Sequence, residues 1–326
     1  MRDWVDQARS GSIRAATRLI TMVEDDPSGL AALFHGFADW PAPRLVLGVT
    51  GPPGAGKSTL VDGMLSEWRH REPETRLGVL AVDPSSPFTG GAILGDRVRM
   101  MRHATDPHVF IRSLASRGHL GGLTLGIRGA VRIMALAGCD IVIIETVGIG
   151  QSEVEVASVA DITMVVLAPG QGDGVQMLKA GVMEAGDVFA VNKADRADAD
   201  RLLAELRATL AITGNPRGAD VYAVSAVAHT GIDALVEGLE ARATRTAAQA
   251  AERRAGAVRD EVRAAVLEAA RRRLERELAN GRAATLVDDI LEGRASVDET
   301  AAHLLSKAHE HGRIEASARS GAPSLE

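Results

Sequence analysis

Gly51, Pro52, Pro53, Gly54, Ala55, Gly56, Lys57 and Ser58 follow one another in the chain, and Thr59 comes next. Glycines at this spacing let a loop turn its backbone N–H groups inward around a row of phosphates. The N-terminus of a following helix adds free donors and a favourable dipole. In such a Gly-x-x-x-x-Gly-Lys-Ser run, Lys57 reaches the β- and γ-phosphates and the Ser58 hydroxyl goes to Mg²⁺. The flanks give the pattern its weight. Leu45–Thr50 reads as an apolar strand before it, and Leu60, Val61, Met64, Leu65 and Trp68 read as a helix after it. The chemistry predicted for Gly51, Gly54, Ala55, Gly56, Lys57, Ser58 and Thr59 is binding of a nucleoside triphosphate.

A second cluster narrows the base. Asn192-Lys193-Ala194-Asp195 lies just beyond the apolar run Val188–Val191. A buried Asp195 carboxylate would accept both the guanine N1–H and the exocyclic amine. Adenine lacks that donor pair, and a polar group left unpaired in such a site discriminates by about 10⁴. The Lys193 stem is expected over the base face, Asn192 as a tie to the phosphate loop, and Ser225 with Ala226 over the base O6. GTP and GDP are predicted over ATP.

Acidic residues complete the site. Glu145 ends the run Ile141–Ile144, the place beside a phosphate loop where Mg²⁺ or its waters are held, and Gly148 allows close backbone approach to the γ-phosphate. Asp83 and Asp96 flank a Pro/Ser/Gly-rich loop and suggest Mg²⁺ or water contacts. Against this stand a helix N-cap for Asp96 and a turn before Pro84 for Asp83. In the Gly-rich stretch 169–179, Lys179 could neutralise charge on the transferred phosphoryl group, or be a solvated helix lysine. Gln151 stands three residues past Gly148, too far for a water-orienting glutamine after a strand-end Asp-x-x-Gly, so slow intrinsic hydrolysis is expected. His103, His108 and His119 lack metal-ligand spacing and Cys139 has no Cys or His neighbour, which argues against a zinc or nickel store.

The elements that must position these residues are legible as alternation. Strands are predicted at 45–50, 77–82, 109–111, 141–145, 163–167, 188–192 and 220–224, with helical segments between them. Continuous apolar runs at 141–145 and 163–167 suit central parallel strands, and an aromatic content of 3% leaves the core to Val, Ile, Leu and Ala. The fold class predicted is α/β, a doubly wound, mostly parallel sheet over 41–240. A helical segment precedes it at 1–40 and a helical extension follows at 241–326. In that extension Val258, Val262, Val266, Ala270, Leu274 and Leu278 recur every four residues, a stripe that packs on its own domain or docks on a second subunit. No internal repeat stands out. With 326 residues, net charge −6 and one cysteine, the chain reads as a cytoplasmic protein rather than a general nucleic-acid binder. Neither a signal peptide nor a membrane span is expected.

Five stretches taken together resemble the methylmalonyl-CoA mutase-associated GTPases, the MeaB/ArgK family within the signal-recognition-particle-like phosphate-loop class. These are the phosphate loop, the loop from Asp83 to Asp96, the strand end at Glu145, the stretch 169–179 and the Asn192–Asp195 element, and the runs specific to the family are Val82 to Met101, Ser116 to Leu123, Glu145 to Glu153 and Asn192 to Asp195. The resemblance covers roughly residues 1–240. It implies a homodimeric GTPase joined partly through C-terminal helices, serving as a chaperone that gates adenosylcobalamin delivery to an acyl-CoA mutase and protects it. It also implies that Asp83, Asp96 and Glu145 surround Mg²⁺ and the attacking water, and that Lys179 belongs to a third switch loop. Gly174 departs from the family's pattern, in which an acid often follows the loop Asp. A metal-insertion GTPase for a nickel enzyme and a kinase of a transport protein are the competing readings.

Overall fold

Seven apolar runs become seven strands in the computed structural model. The structure describes residues 2–25, 41–84, 102–103, 105–116, 122–146, 156–170, 186–215, 217–277 and 289–299. The strands are β1 Leu45–Thr50, β2 Leu77–Pro84, β3 Val109–Ser116, β4 Ile141–Thr146, β5 Ile162–Leu167, β6 Val188–Val191 and β7 Asp220–Ala223. They pair in the order β3-β2-β4-β1-β5-β6-β7, every pairing parallel. Leu47 of β1 lies opposite Ile143 on one side and Ile162 on the other. β1, β4, β5 and β6 are buried along their whole length, which is why they read as unbroken apolar runs rather than alternating ones.

Side-chain alternation sends the two halves of each strand into separate layers. Leu45, Leu47 and Val49 of β1 pack with Leu60, Met64, Leu65 and Trp68 of α3 (Lys57–Arg71) and with Leu235 and Leu239 of α6 (Ile232–Arg245). On the opposite face Val46, Leu80, Val142 and Ile144 meet α1 (Arg2–Arg9), α2 (Ile13–Asp25) and α4 (Gly122–Leu136). α5 (Ala199–Ile212) covers Val165, Leu167, Phe189 and Val191 with Leu202, Leu206 and Leu210.

Two local expectations change. The helical pattern at the N-terminus is split at Ser10–Ser12, where Gly11 takes φ 90 and the Ser12 hydroxyl accepts the Ala15 amide at 3.3 Å. β3 runs five residues past its apolar start. It is an edge strand, so Arg112 is tolerated there, its guanidinium reaching Thr21 Oγ1 at 3.1 Å and Glu24 Oε2 at 3.3 Å on α2.

The amino edge of the sheet is tied by aspartates. Asp140, Asp161 and Asp187 each stand one residue before β4, β5 and β6, and each turns a carboxylate oxygen onto a backbone amide of an adjoining segment. The amides are Arg76 at 2.9 Å, Val46 at 2.8 Å and Thr163 at 3.0 Å. Arg254 donates to Asp161, with Nε 2.9 Å from Oδ1. Arg217 and Arg242 reach Asp187 at 3.1 and 3.4 Å, and Arg242 reaches Asp220 at 3.1 Å. Asp161, Asp187 and Arg242 are all buried.

The chain divides into two units, residues 1–257 and 258–326. The boundary falls within α7 (Ala247–Glu277). In the second unit Val258, Val262 and Val266 of the predicted stripe are exposed by 44%, 58% and 61%. The side chains of Ala270 and Leu274, and all of Leu278, lie outside the described residues. Among the described residues no helix is long and apolar enough to cross a membrane.

Candidate functional site

β1 delivers the chain into a loop whose path only glycine permits at its two ends. Gly51 adopts φ 140, and a Cβ there would lie 2.1 Å from the Val166 carbonyl oxygen of β5. Gly56 adopts φ 88 at the N-cap of α3, and a Cβ there would lie 2.5 Å from Asn192 Nδ2. Lys57 and Ser58 therefore open α3 at the carboxyl ends of the central strands, the crevice where open parallel sheets place ligands.

The buried Lys57 ammonium folds back over the loop and donates to the Gly51 and Pro52 carbonyls at 2.7 and 3.1 Å. Ser58 Oγ donates to Glu145 Oε1 at 2.6 Å, both side chains buried. The parallel register explains the meeting. Glu145 is level with Val49 on the neighbouring strand, two residues before the loop. Thr59 sits in the first turn of α3 and faces solvent.

On the β6 side, Asn192 acts as a clasp. Its Nδ2 donates to the Ala55 carbonyl at 2.9 Å, while its Oδ1 accepts the Lys193 amide at 2.8 Å and the Ala226 amide at 3.0 Å. Lys193, held at φ 60, donates from Nζ to the Gly54 carbonyl at 2.9 Å. Ser225 Oγ donates to Asp195 Oδ1 at 2.5 Å. That hydroxyl is the leading cause holding the Asp195 carboxyl below the usual aspartate range, so it remains an acceptor-only carboxylate.

Two details correct the sequence expectation. Asp195 is exposed rather than buried, because β6 ends at Val191 and Asp195 stands four residues out on the loop. Selectivity from an unpaired Asp195 then requires the base itself to cover the carboxylate. The Ala226 amide is given to Asn192, so it braces the loop.

Glu145 near the end of β4, Lys57 and Ser58 at the start of α3, and Asn192, Lys193, Asp195, Ser225 and Ala226 on the loops after β6 and β7 thus border one edge of the sheet. Asp83 is placed by its backbone near the end of β2, level with Ala115 of β3. Its side chain, together with Asp96, Gly148, Gln151, Gly174 and Lys179, lies outside the described residues. The sequence reading passes over Asp62, which shares a helix face with Ser58. The i,i+4 spacing on α3 is the signal that marks it.

The oxygen pair Ser58–Glu145 suits a hard cation such as Mg²⁺. Among the described residues no three His, Cys, Asp or Glu side chains cluster as a metal site. That is compatible with Mg²⁺, which keeps several waters and takes much of its shell from phosphate oxygens.

Comparisons with known proteins fit this geometry. A family model described as methylmalonyl Co-A mutase-associated GTPase MeaB matches residues 16–283. A putative GTPase of Pyrococcus horikoshii is 50% identical over 208 residues, 64% of this chain and 64% of that relative. The methylmalonic aciduria type A homolog, mitochondrial, of Caenorhabditis briggsae is 42% identical over 149 residues, 46% of this chain and 36% of its own. The match thus spans just under two thirds of the Pyrococcus relative's length. Among solved structures, that of an LAO/AO transport system kinase is similar with a TM-score of 0.58 and 25% identity. It covers 94% of this chain and 97% of that one.

Proposed function

The chain belongs to the family of methylmalonyl-CoA mutase-associated GTPases, MeaB, and from that premise we propose that it is a GTP-hydrolysing switch for an acyl-CoA mutase. The observation that carries the nucleotide reading is the clasp of Asn192 and Lys193 on the phosphate loop, with Asp195 oriented by Ser225 beside it. One pair of loops thereby offers phosphate donors and a guanine-reading carboxylate at a fixed separation.

In this reading the backbone N–H groups of Gly51 and of Gly54 to Thr59 cradle the phosphates, and Gly148 would allow close backbone approach to the γ-phosphate. Lys57 leaves the Gly51 and Pro52 carbonyls to place its ammonium on the β- and γ-phosphates. Asp195 accepts the two guanine donors, the Lys193 stem covers the base, and Ser225 and Ala226 border it. Ser58, Glu145, Asp83 and Asp96 hold Mg²⁺ or its waters, and the ion when bound neutralises charge on the phosphate oxygens. Lys179 offers a further cation to the transferred group. The product pair is GDP and phosphate.

The partner reading draws on the family's description and on the name of the Caenorhabditis relative. The switch is cytoplasmic and serves an adenosylcobalamin-dependent mutase, gating cofactor loading and protecting the enzyme. Residues 41–240 form the nucleotide module, and the helical extension beyond 241 joins two copies. The test is the rate of phosphate release from GTP with and without an acyl-CoA mutase, alongside gel filtration. Acceleration of about 10³-fold or more is the scale at which a partner supplies missing charge to such sites. An unchanged rate and no complex would sink the partner assignment. The similarity to a transport system kinase supports a second reading, transfer of the γ-phosphoryl group to a protein acceptor. Incubation with γ-labelled GTP and candidate acceptors separates the two, since the switch yields only free phosphate.

A further inference from the structure

Asp62 follows Ser58 by four residues in α3, which places the two side chains on one face, about 6 Å apart along the helix axis. The Asp62 side chain is buried, yet nothing in phosphate binding as described uses it. Arg102 reaches in from the surface and donates from Nη2 to Asp62 Oδ2. His103 brings Nε2 to 3.1 Å from Asp62 Oδ1 and 3.2 Å from the Asp62 carbonyl. Ser66 Oγ donates to that carbonyl at 3.0 Å and lies 3.4 Å from His103 Nε2.

The charges around this cluster settle which group neutralises the carboxylate. Burial holds His103 below the usual imidazole range, and Arg102 and Arg69 act in the same direction against Asp106. Arg69 is itself paired with Asp106 at 2.9 Å. Burial thus disfavours the charged imidazole, and Arg102 is the permanent positive charge on Asp62.

We propose that Asp62 and Arg102 form a charge brace for bound nucleotide, a positioning pair one helical turn behind the residues that receive the triphosphate. The proposal rests on the reading of Lys57 and Ser58 as triphosphate ligands. Without Arg102, a buried carboxylate on the Ser58 face of α3 repels the incoming phosphates within the range over which such charges act. GTP carries one more negative charge than GDP, so it feels the loss more. The brace therefore sets the ratio of the two affinities as well as the stability of the helix.

The experiment measures binding of fluorescent GDP and of a non-hydrolysable GTP analogue to the full chain at fixed Mg²⁺. Arg102→Gln is expected to weaken the triphosphate by about 10-fold and GDP by about 3-fold or less, the scale of one added charge at this distance. Arg102→Lys keeps the charge and is expected to retain the wild-type ratio. The double variant Asp62→Asn with Arg102→Gln removes both charges and is expected to return the ratio to within about twofold of wild type. Should Arg102→Gln alone fold poorly, Asp62→Asn decides the matter: it leaves the Arg102 charge unopposed and is expected to shift the ratio toward the triphosphate by about 3-fold, and an unshifted ratio there overturns the brace. An unshifted ratio in Arg102→Gln, or a double variant that fails to restore it, overturns the brace while leaving guanine-nucleotide binding intact. A wild-type chain that binds neither nucleotide overturns the parent reading and the brace with it.

Discussion

The two edges of the sheet hold charge in opposite ways. At the amino edge Asp161, Asp187 and Arg242 are buried, and their hydrogen bonds run to one another, to neighbouring amides and to carbonyls. At the carboxyl edge, the contacts seen among the described residues take charged groups to neutral oxygens beside the loops. Lys57 lies on two carbonyls, Lys193 on a third, and the exposed Asp195 on a serine hydroxyl. Ion pairs that satisfy each other hold a structure together but offer little to a ligand. Charges resting on neutral dipoles can be drawn off by phosphate or a base at small cost. The same α/β sheet thus separates staying folded from binding, and substitutions at the two edges should produce different failures.

The largest expected effect lies at the carboxyl edge. Asp195→Asn should collapse the preference for GDP over ADP by about 10³ to 10⁴, since the carboxylate is the group that reads both guanine donors. The thermal midpoint should stay near wild type, as Asp195 is exposed. Competition binding measures the first quantity and calorimetry the second. A large drop in midpoint with retained preference would break the division between edges.

Arg242→Met should show the mirror image. It strips Asp187 and Asp220 of a shared partner and should cost about 3 kcal/mol in urea denaturation, the scale for breaking a buried pair. GDP affinity of the folded fraction should remain within about twofold, because the change lies at the far ends of the strands. Asp161→Asn is milder, since an amide oxygen can still accept from Val46. A loss of about 1 to 2 kcal/mol is expected, from weakening the bonds to Arg254.

The smallest effect concerns pH. Asp195 is depressed in the folded state, so guanine recognition is fully present above the usual aspartate range and is lost as pH falls through the lowered value. Ser225→Ala removes the leading cause of that depression. The acid limb of GDP binding should then move to higher pH, with affinity at pH 8 little changed. An acid limb that stays in place would show that the hydroxyl positions the loop without tuning the carboxylate.

Most of the carboxyl edge is legible in the sequence because its residues come in contiguous runs, Gly51–Ser58 and Asn192–Asp195, each attached to an apolar strand. The amino edge is written too, but in scattered units. Cys139-Asp140-Ile141, Ala160-Asp161-Ile162, Gly186-Asp187-Val188 and Ala219-Asp220-Val221 each put an aspartate before a β-branched residue. The arginines that meet three of them come from positions 217 to 254, and no local pattern joins the two sets. β3 is underestimated for a related reason. Its edge position lets Arg112 and Ser113 sit in a strand that the apolar run alone ends at Ile111. The exposure of Asp195 is invisible in spacing, since residue order says nothing of how far a loop stands out from the sheet.

Asn192 touches the segments that follow β1, β6 and β7 with one side chain. In engineering terms, base choice and phosphate grip are a single part. A guanine-reading loop transplanted onto another phosphate loop would arrive without its alignment unless the recipient keeps a carbonyl at the Ala55 position and a side-chain-free residue at the Gly56 position. Redesign of this nucleotide pocket therefore has to move as a three-loop cassette, with Asn192 as the indivisible joint.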